Sequence, residues 1–168
     1  LLRSRKLGGL HIKTPYRGVA MHINAFNFPA WGLAEKAAVA WLAGMPVVSK
    51  PATATSWIAE VLARALVKTG ALPHGAFTFI AGHPAGLVES LQTGDVLAFT
   101  GSSGVGSHLR THPRVISQGV PVNVEADSVN SAVLGPDVSP GDDVFDMLVR
   151  DAVREVIQRA SVAQVDAR

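Results

Sequence analysis

Short apolar runs alternate with amphipathic ones along most of the chain. Residues 17–24 (R-G-V-A-M-H-I-N) show the two-residue alternation of a strand, with Val19, Met21 and Ile23 on one face and His22 on the other. The run 24–29 that follows, rich in Asn and ending in Pro, is loop punctuation. Leu33, Ala37, Ala40 and Trp41 recur at helical spacing and predict a helix over 31–43, with Gly44 where a left-handed C-terminal cap belongs. Residues 45–50 predict the next strand. Thr53, Thr55 or Ser56 can cap a second helix, whose inward stripe is Ile58, Val61, Leu62, Ala65 and Leu66 and whose stop is Gly70.

The alternation continues with a strand over 76–81, a short helix over 85–91, and a strand over 96–99 that runs into a glycine-rich turn and a helix starting near Ser107. Residues 120–124 and 132–134 read as further strands. From Asp142 onward, Phe145, Leu148, Val149, Ala152, Val153 and Val156 mark an amphipathic helix with Asp142 and Asp143 near its positive end. Strands and helices in strict succession, with short links, predict an α/β fold: a mainly parallel sheet with helices on both faces. Ligands of such sheets collect at the carboxyl ends of the strands, where both Asn27 and the glycine turn fall.

Composition narrows the class. The 168 residues are 48% hydrophobic, which is enough for a single domain with its own core. The net charge of +2 comes from few charges in near balance, and Arg3, Arg5 and Lys6 have no aromatic residues between them, so nucleic acid is not implied. Without cysteine there is no disulfide framework and no thiolate metal site. Nothing resembles a signal peptide or a membrane span, and a cytoplasmic protein is expected. The chain opens at Leu1 rather than Met and reads as a piece of a longer one.

The candidate chemistry centres on the glycine run. Gly101, Gly104 and Gly106 between a strand and a helix let the backbone take positive φ and suit an anion-binding turn in which N–H groups approach a pyrophosphate, although such a link is more often a plain tight connection. A phosphate-binding P-loop would need Gly-Lys-Ser/Thr, and a serine-hydrolase elbow fails at Val105. The dinucleotide fingerprint matches in part: Gly104 and Gly106 are followed by Leu109, while Glu125 lies at the distance of a ribose carboxylate. His108 and His112 are four apart, but Pro113 disfavours helix there and no carboxylate partner is nearby in the sequence, so they read as solvated or capping histidines and no metal is assigned. Asp142, Asp143 and Asp146 read as helix-start charges. Glu125 and Asp127 alternate along one face, and one of them is either a base or a rim charge. Asn27 is either a turn former or an amide donor to an oxyanion. Lys50 is either a surface lysine or a contact to phosphate or ribose.

Four runs in order, N-A-F-N-F-P at 24–29, K-P-A at 50–52, F-T-G-S at 99–102 with Gly106, and V-E-A-D-S at 124–128, resemble the aldehyde dehydrogenase superfamily. Within it the chain is most similar to the aldehyde dehydrogenase part of the bifunctional ring-opening enzymes of phenylacetate degradation. The resemblance implies an incomplete Rossmann-like cofactor domain and an NAD(P)-dependent oxidation of a CoA-linked semialdehyde to the acid. It implies that Asn27 donates to the oxyanion of the thiohemiacetal, that Glu125 is the base for the deacylating water, and that Lys50 meets the adenosine ribose or its phosphate. Gly101, Ser102 and Gly106 would lie at the pyrophosphate. Thr53 stands where NAD-preferring members carry a Glu, so NADP is expected to be accepted, with NAD possible. An intact member would be a homo-oligomer acting on a small aldehyde.

The chain departs from the pattern in lacking the cysteine nucleophile. It is expected to be a single partial domain, inactive alone, with a dinucleotide-binding or subunit-docking remnant as the alternative. A reading frame shifted after about residue 155 would, with permitted codons, turn 158 onward into A-G-Q-R-C-T-G-R-R, close to the nucleophile run. Residues 156–168 are accordingly expected to be a frameshifted tail, and the codons of that stretch decide the matter.

Overall fold

The computed structural model describes residues 10–12, 14–83, 85–126 and 133–163. Its elements are β1 (Ala20–Ile23), α1 (Pro29–Leu42), β2 (Val47–Lys50), a 3-10 turn (Thr53–Thr55), α2 (Ser56–Lys68), β3 (Phe77–Phe79), β4 (Val96–Gly101), α3 (Ser103–Arg110), α4 (Pro113–Gln118), β5 (Val122–Ala126) and α5 (Asp143–Ala163). The five strands form one sheet in the order β3-β2-β1-β4-β5, every pair parallel. The chain winds outward from β1 to β3, then crosses back to lay β4 on the other side of β1. The reversal point therefore lies between β1 and β4, and a crevice opens there above the strand ends.

Helices cover both faces, as a parallel sheet requires. On one face α1 and α2 bury Leu33, Ala37, Ala40 and Ala59 against Ala20 and Val47. On the other, Leu109 of α3 and Val115 of α4 join Met21, Leu97 and Phe99. The central strand is buried on both sides, so His22, on the face opposite Met21, is only 3% exposed.

Several expectations are corrected. The buried stripe of α2 consists of Ala59 and Ala63, with Leu62 and Leu66 half-buried, while Val61 is 62% exposed and Ala65 is exposed too. The neighbour against which this helix packs is α1. Residues 85–91 form hydrogen-bonded turns rather than a helix, because Gly86 has a φ of 77°, outside the right-handed region. The strand expected over 120–124 is shifted to Val122–Ala126. The glycine run is not a positive-φ turn: Gly101 ends β4, Ser102 is the N-cap of α3, and Gly104 and Gly106 lie inside that helix, which begins at Ser103 rather than near Ser107.

The α5 stripe is partly satisfied: Phe145 and Leu148 are half-buried, and Val149 and Val153 are exposed. Val133 and Leu134 are not in a strand. Arg3, Arg5, Lys6, Asp127, Ser128, Ala132 and residues 164–168, all named above, lie outside the described residues. Among the described residues no helix is long and apolar enough to cross a membrane.

Candidate active site

A cleft of about 1180 Å³ opens at the carboxyl ends of β1, β2, β4 and β5, and its walls include Asn27, Lys50, Gly101 and Glu125. These four come from segments far apart in sequence and meet because each follows, or ends, a parallel strand. Asn27 sits in the loop between β1 and α1 and is exposed, with no side-chain hydrogen bond among the described residues. Pro29 at the first helical position starts α1 directly behind it. The base of the loop is tied to β2 by Asn24 N–H donating to the Lys50 carbonyl at 3.0 Å and by Asn24 Nδ2 donating to Ser49 Oγ at 3.3 Å.

Lys50 closes β2, and partial burial holds its ammonium pKa below the ordinary 10.5. Thr53 is exposed in the turn that follows, next to Ala52 on the cleft wall. Ser102 adjoins Gly101, and Gly106 is buried within α3 away from the cleft wall. A Cβ at Gly106 would stand 2.5 Å from Val124 Cγ1 and 3.6 Å from the Phe99 ring, so the glycine permits α3 to press onto β4 and β5. The structure thus gathers Asn27, Lys50, Gly101 and Glu125 on the cleft, with Thr53 and Ser102 beside it and Gly106 behind it.

Glu125 lies on β5 opposite Thr100 of β4. Its Oε2 accepts from Thr100 Oγ1 at 3.1 Å and from Lys36 Nζ at 3.4 Å, and the side chain is 54% exposed toward solvent. Lys36 is 8% exposed and also meets Glu35 Oε1 at 3.3 Å. Sequence reasoning missed Lys36, although Glu35-Lys36 are the sole charged residues of α1, a signal in an otherwise apolar helix. Three inter-strand steps separate β2 from β5, so Lys50 and Glu125 stand about 14 Å apart across the sheet.

Behind the cleft a groove of about 420 Å³ shares Glu35, Lys36 and Glu125 with it and has His22 in its wall. Burial, and then the charge of Lys36, lower the His22 pKa from 6.5 to about 4. The unfolded chain takes up this proton near 6.5, so stability falls as pH drops below 6.5, and the loss is complete once folded His22 protonates near 4. The full effect is about 3 kcal/mol. Lys36→Met removes the second cause and is expected to raise the His22 pKa and shrink this loss. NMR titration of the His22 ring, with urea unfolding at neutral and mildly acid pH, checks it; an unchanged titration refutes it.

His112 caps α4, its Nδ1 accepting from Arg114 N–H at 3.2 Å, as the capping reading expected. A carboxylate does lie near it, contrary to expectation: Glu89 Oε1 is 3.8 Å from Nε2. Among the described residues no group of three His, Asp or Glu is placed to hold a metal ion.

The aldehyde dehydrogenase family profile matches residues 5–164, nearly the whole chain. The chain belongs to the aldehyde dehydrogenase family. It is 51% identical over 148 residues to the 3,4-dehydroadipyl-CoA semialdehyde dehydrogenase of Aromatoleum evansii, covering 88% of this chain and 29% of that one. It is 33% identical over 138 residues to a non-phosphorylating aspartate-semialdehyde dehydrogenase of Halomonas elongata, covering 80% and 27%. Among solved structures, an aldehyde dehydrogenase of Bartonella henselae superposes with a TM-score of 0.68 at 25% identity, covering 81% of this chain and 28% of that one. A succinate-semialdehyde dehydrogenase of Burkholderia pseudomallei gives 0.60 at 30% identity, covering 68% and 24%. The chain thus spans less than a third of the length of these aldehyde dehydrogenases.

Proposed function

We propose that these residues are the central part of the cofactor-binding domain of an NAD(P)-dependent dehydrogenase that oxidises a CoA-linked semialdehyde to the acid. The observation that carries this reading is the meeting of Asn27, Lys50, Gly101 and Glu125 around one cleft at the reversal point of a parallel sheet. The identity to a CoA-semialdehyde dehydrogenase supports the substrate class.

The cleft suits a nicotinamide dinucleotide. Its volume is that of a cofactor-sized site, and a lysine stands at the β2 tip for a ribose hydroxyl or phosphate. The N-terminus of α3 faces the end of β4 at Gly101, and its N-cap residue, Ser102, makes no side-chain bond to the helix, an arrangement that suits a pyrophosphate. Buried Asn24 Oδ1, on the same cleft, has no partner among the described residues. When bound, the cofactor supplies the hydride acceptor. In our reading Lys50, Thr53, Gly101 and Ser102 hold it, and Gly106 acts by setting the position of α3. Asn27 donates to the oxygen of the attacked carbonyl, and Glu125 takes the proton of the water that releases the acid.

Calorimetry tests this with the chain itself: NADP is expected to bind, and Thr53→Glu to weaken NADP about tenfold to a hundredfold while sparing NAD, because a carboxylate beside a 2′-phosphate repels it. An NADP affinity unchanged by the substitution would remove Thr53 from the ribose site. A second reading is favoured by the lack of any cysteine in the 168 residues: a module that binds a dinucleotide or docks on another subunit without chemistry. In either case no aldehyde oxidation by this chain alone is expected, and turnover of a semialdehyde with NADP above a heat-inactivated control would overturn that.

A further inference from the structure

We propose that Thr55 is a positioning residue that ties the turn at the β2 tip to the loop carrying Asn27, so that order in the first is passed to the second. Its functional meaning rests on the reading above; its geometry does not. The Thr55 hydroxyl donates to the Phe26 carbonyl at 2.9 Å, across 29 residues of sequence and in a partly buried setting. Phe26 immediately precedes Asn27, and Thr55 ends the 3-10 turn that begins at Thr53.

Thr55 is also the N-cap residue of α2, where a threonine ordinarily accepts from its own helix's N–H groups. Here it makes no such bond. The hydroxyl forgoes the local cap and holds a distant loop instead. The other ties between these segments, from Asn24 to Lys50 and Ser49, secure the base of the loop, and Gly32 N–H donating to Phe28 O at 2.8 Å secures its far end. Between those anchors Thr55 reaches the middle. A dinucleotide whose ribose orders the 53–55 turn would thereby fix the backbone beside the Asn27 amide, coupling cofactor occupancy to the site where carbonyl oxygen is received.

The test is amide hydrogen exchange of the 168-residue chain, with and without NADP, in wild type, Thr55→Val and Thr55→Ser. Without ligand, Thr55→Val is expected to speed exchange at Asn24 and Gly32 about three- to tenfold, the size of one net hydrogen bond, and Thr55→Ser to restore it. Exchange at Trp57 and Ile58, which a cap would protect, stays unchanged. With NADP, wild type and Thr55→Ser slow at Asn24 and Gly32, and Thr55→Val does not. Wild-type exchange in Thr55→Val, equally fast exchange in Thr55→Ser, a change confined to Trp57 and Ile58, or full NADP protection in Thr55→Val overturns the proposal. Absence of any NADP response in all three forms counts against the cofactor reading, and the ligand-free comparison then decides the tie alone.

Discussion

Gly18→Ala is expected to cost about 3 kcal/mol or more, a large part of the roughly 5–15 kcal/mol that holds a domain of this size. Gly18 enters β1 with a φ of 125°, where side chains are rarely found. A Cβ there would also fall on the backbone carbonyl of Gly94 and 2.9 Å from Asp95 N. Gly94 is no freer, since its own Cβ would stand 2.8 Å from the Arg17 carbonyl oxygen. Backbone meets backbone at this crossing, so no side chain can swing away.

Separating the two segments would strain Val19 N–H to Asp95 Oδ1 at 2.7 Å and Val96 N–H to Val19 O at 3.0 Å, the bonds that set β1 against β4. That pair flanks the reversal point. Gly70→Ala is the control: its φ is 67°, but nothing lies within 4 Å of a Cβ, so only backbone strain of about 1 kcal/mol is expected. Urea midpoints at unchanged slope measure both. If the two variants lose the same stability, the close crossing of β1 and β4 is not what the fold depends on.

The alternation of elements was legible because each depends on neighbours in sequence. Gly44, with its φ of 78°, ends α1 where the apolar spacing stops, and Pro113 separates α3 from α4 as a residue lacking an N–H should. What depends on packing was not legible. In α2 the pattern favoured the larger Val61, yet Ala59 and Ala63 are the residues that are buried, on a helix that packs against α1.

The glycine run was read as conformational freedom, and its value lies in absent volume: Gly106 is helical, and what matters is the space that Val124 and Phe99 occupy. Asn27, Lys50 and Glu125 could be singled out because they follow or end strands. Lys36 could not, since its contact with Glu125 spans 89 residues and exists only because α1 packs on β1 and β2 with this side chain reaching across to β5.

In a complete protein carrying the nucleophile, Glu125→Gln is expected to lower kcat about 10²- to 10⁴-fold, the range of a general base, with little change in the KM for NADP. The alternative role, a carboxylate gripping the cofactor ribose, predicts the reverse: a raised KM with kcat largely kept. Geometry favours the first. Lys50 and the 53–55 turn belong to β2, whereas Glu125 belongs to β5, with β1 and β4 between them. A ribose held at the β2 tip is out of reach of a carboxylate about 14 Å away. Asn27, following the intervening β1, stands on the same cleft, so an attacked carbonyl at the amide is nearer to Glu125 than the ribose is. Thr100 and Lys36 both engage Oε2, which leaves Oε1 and the exposed half of the carboxylate available to a water. Glutamine keeps the shape and can still accept from Thr100, but it cannot take a proton at neutral pH. Loss of turnover with intact cofactor binding therefore separates proton transfer from ribose recognition.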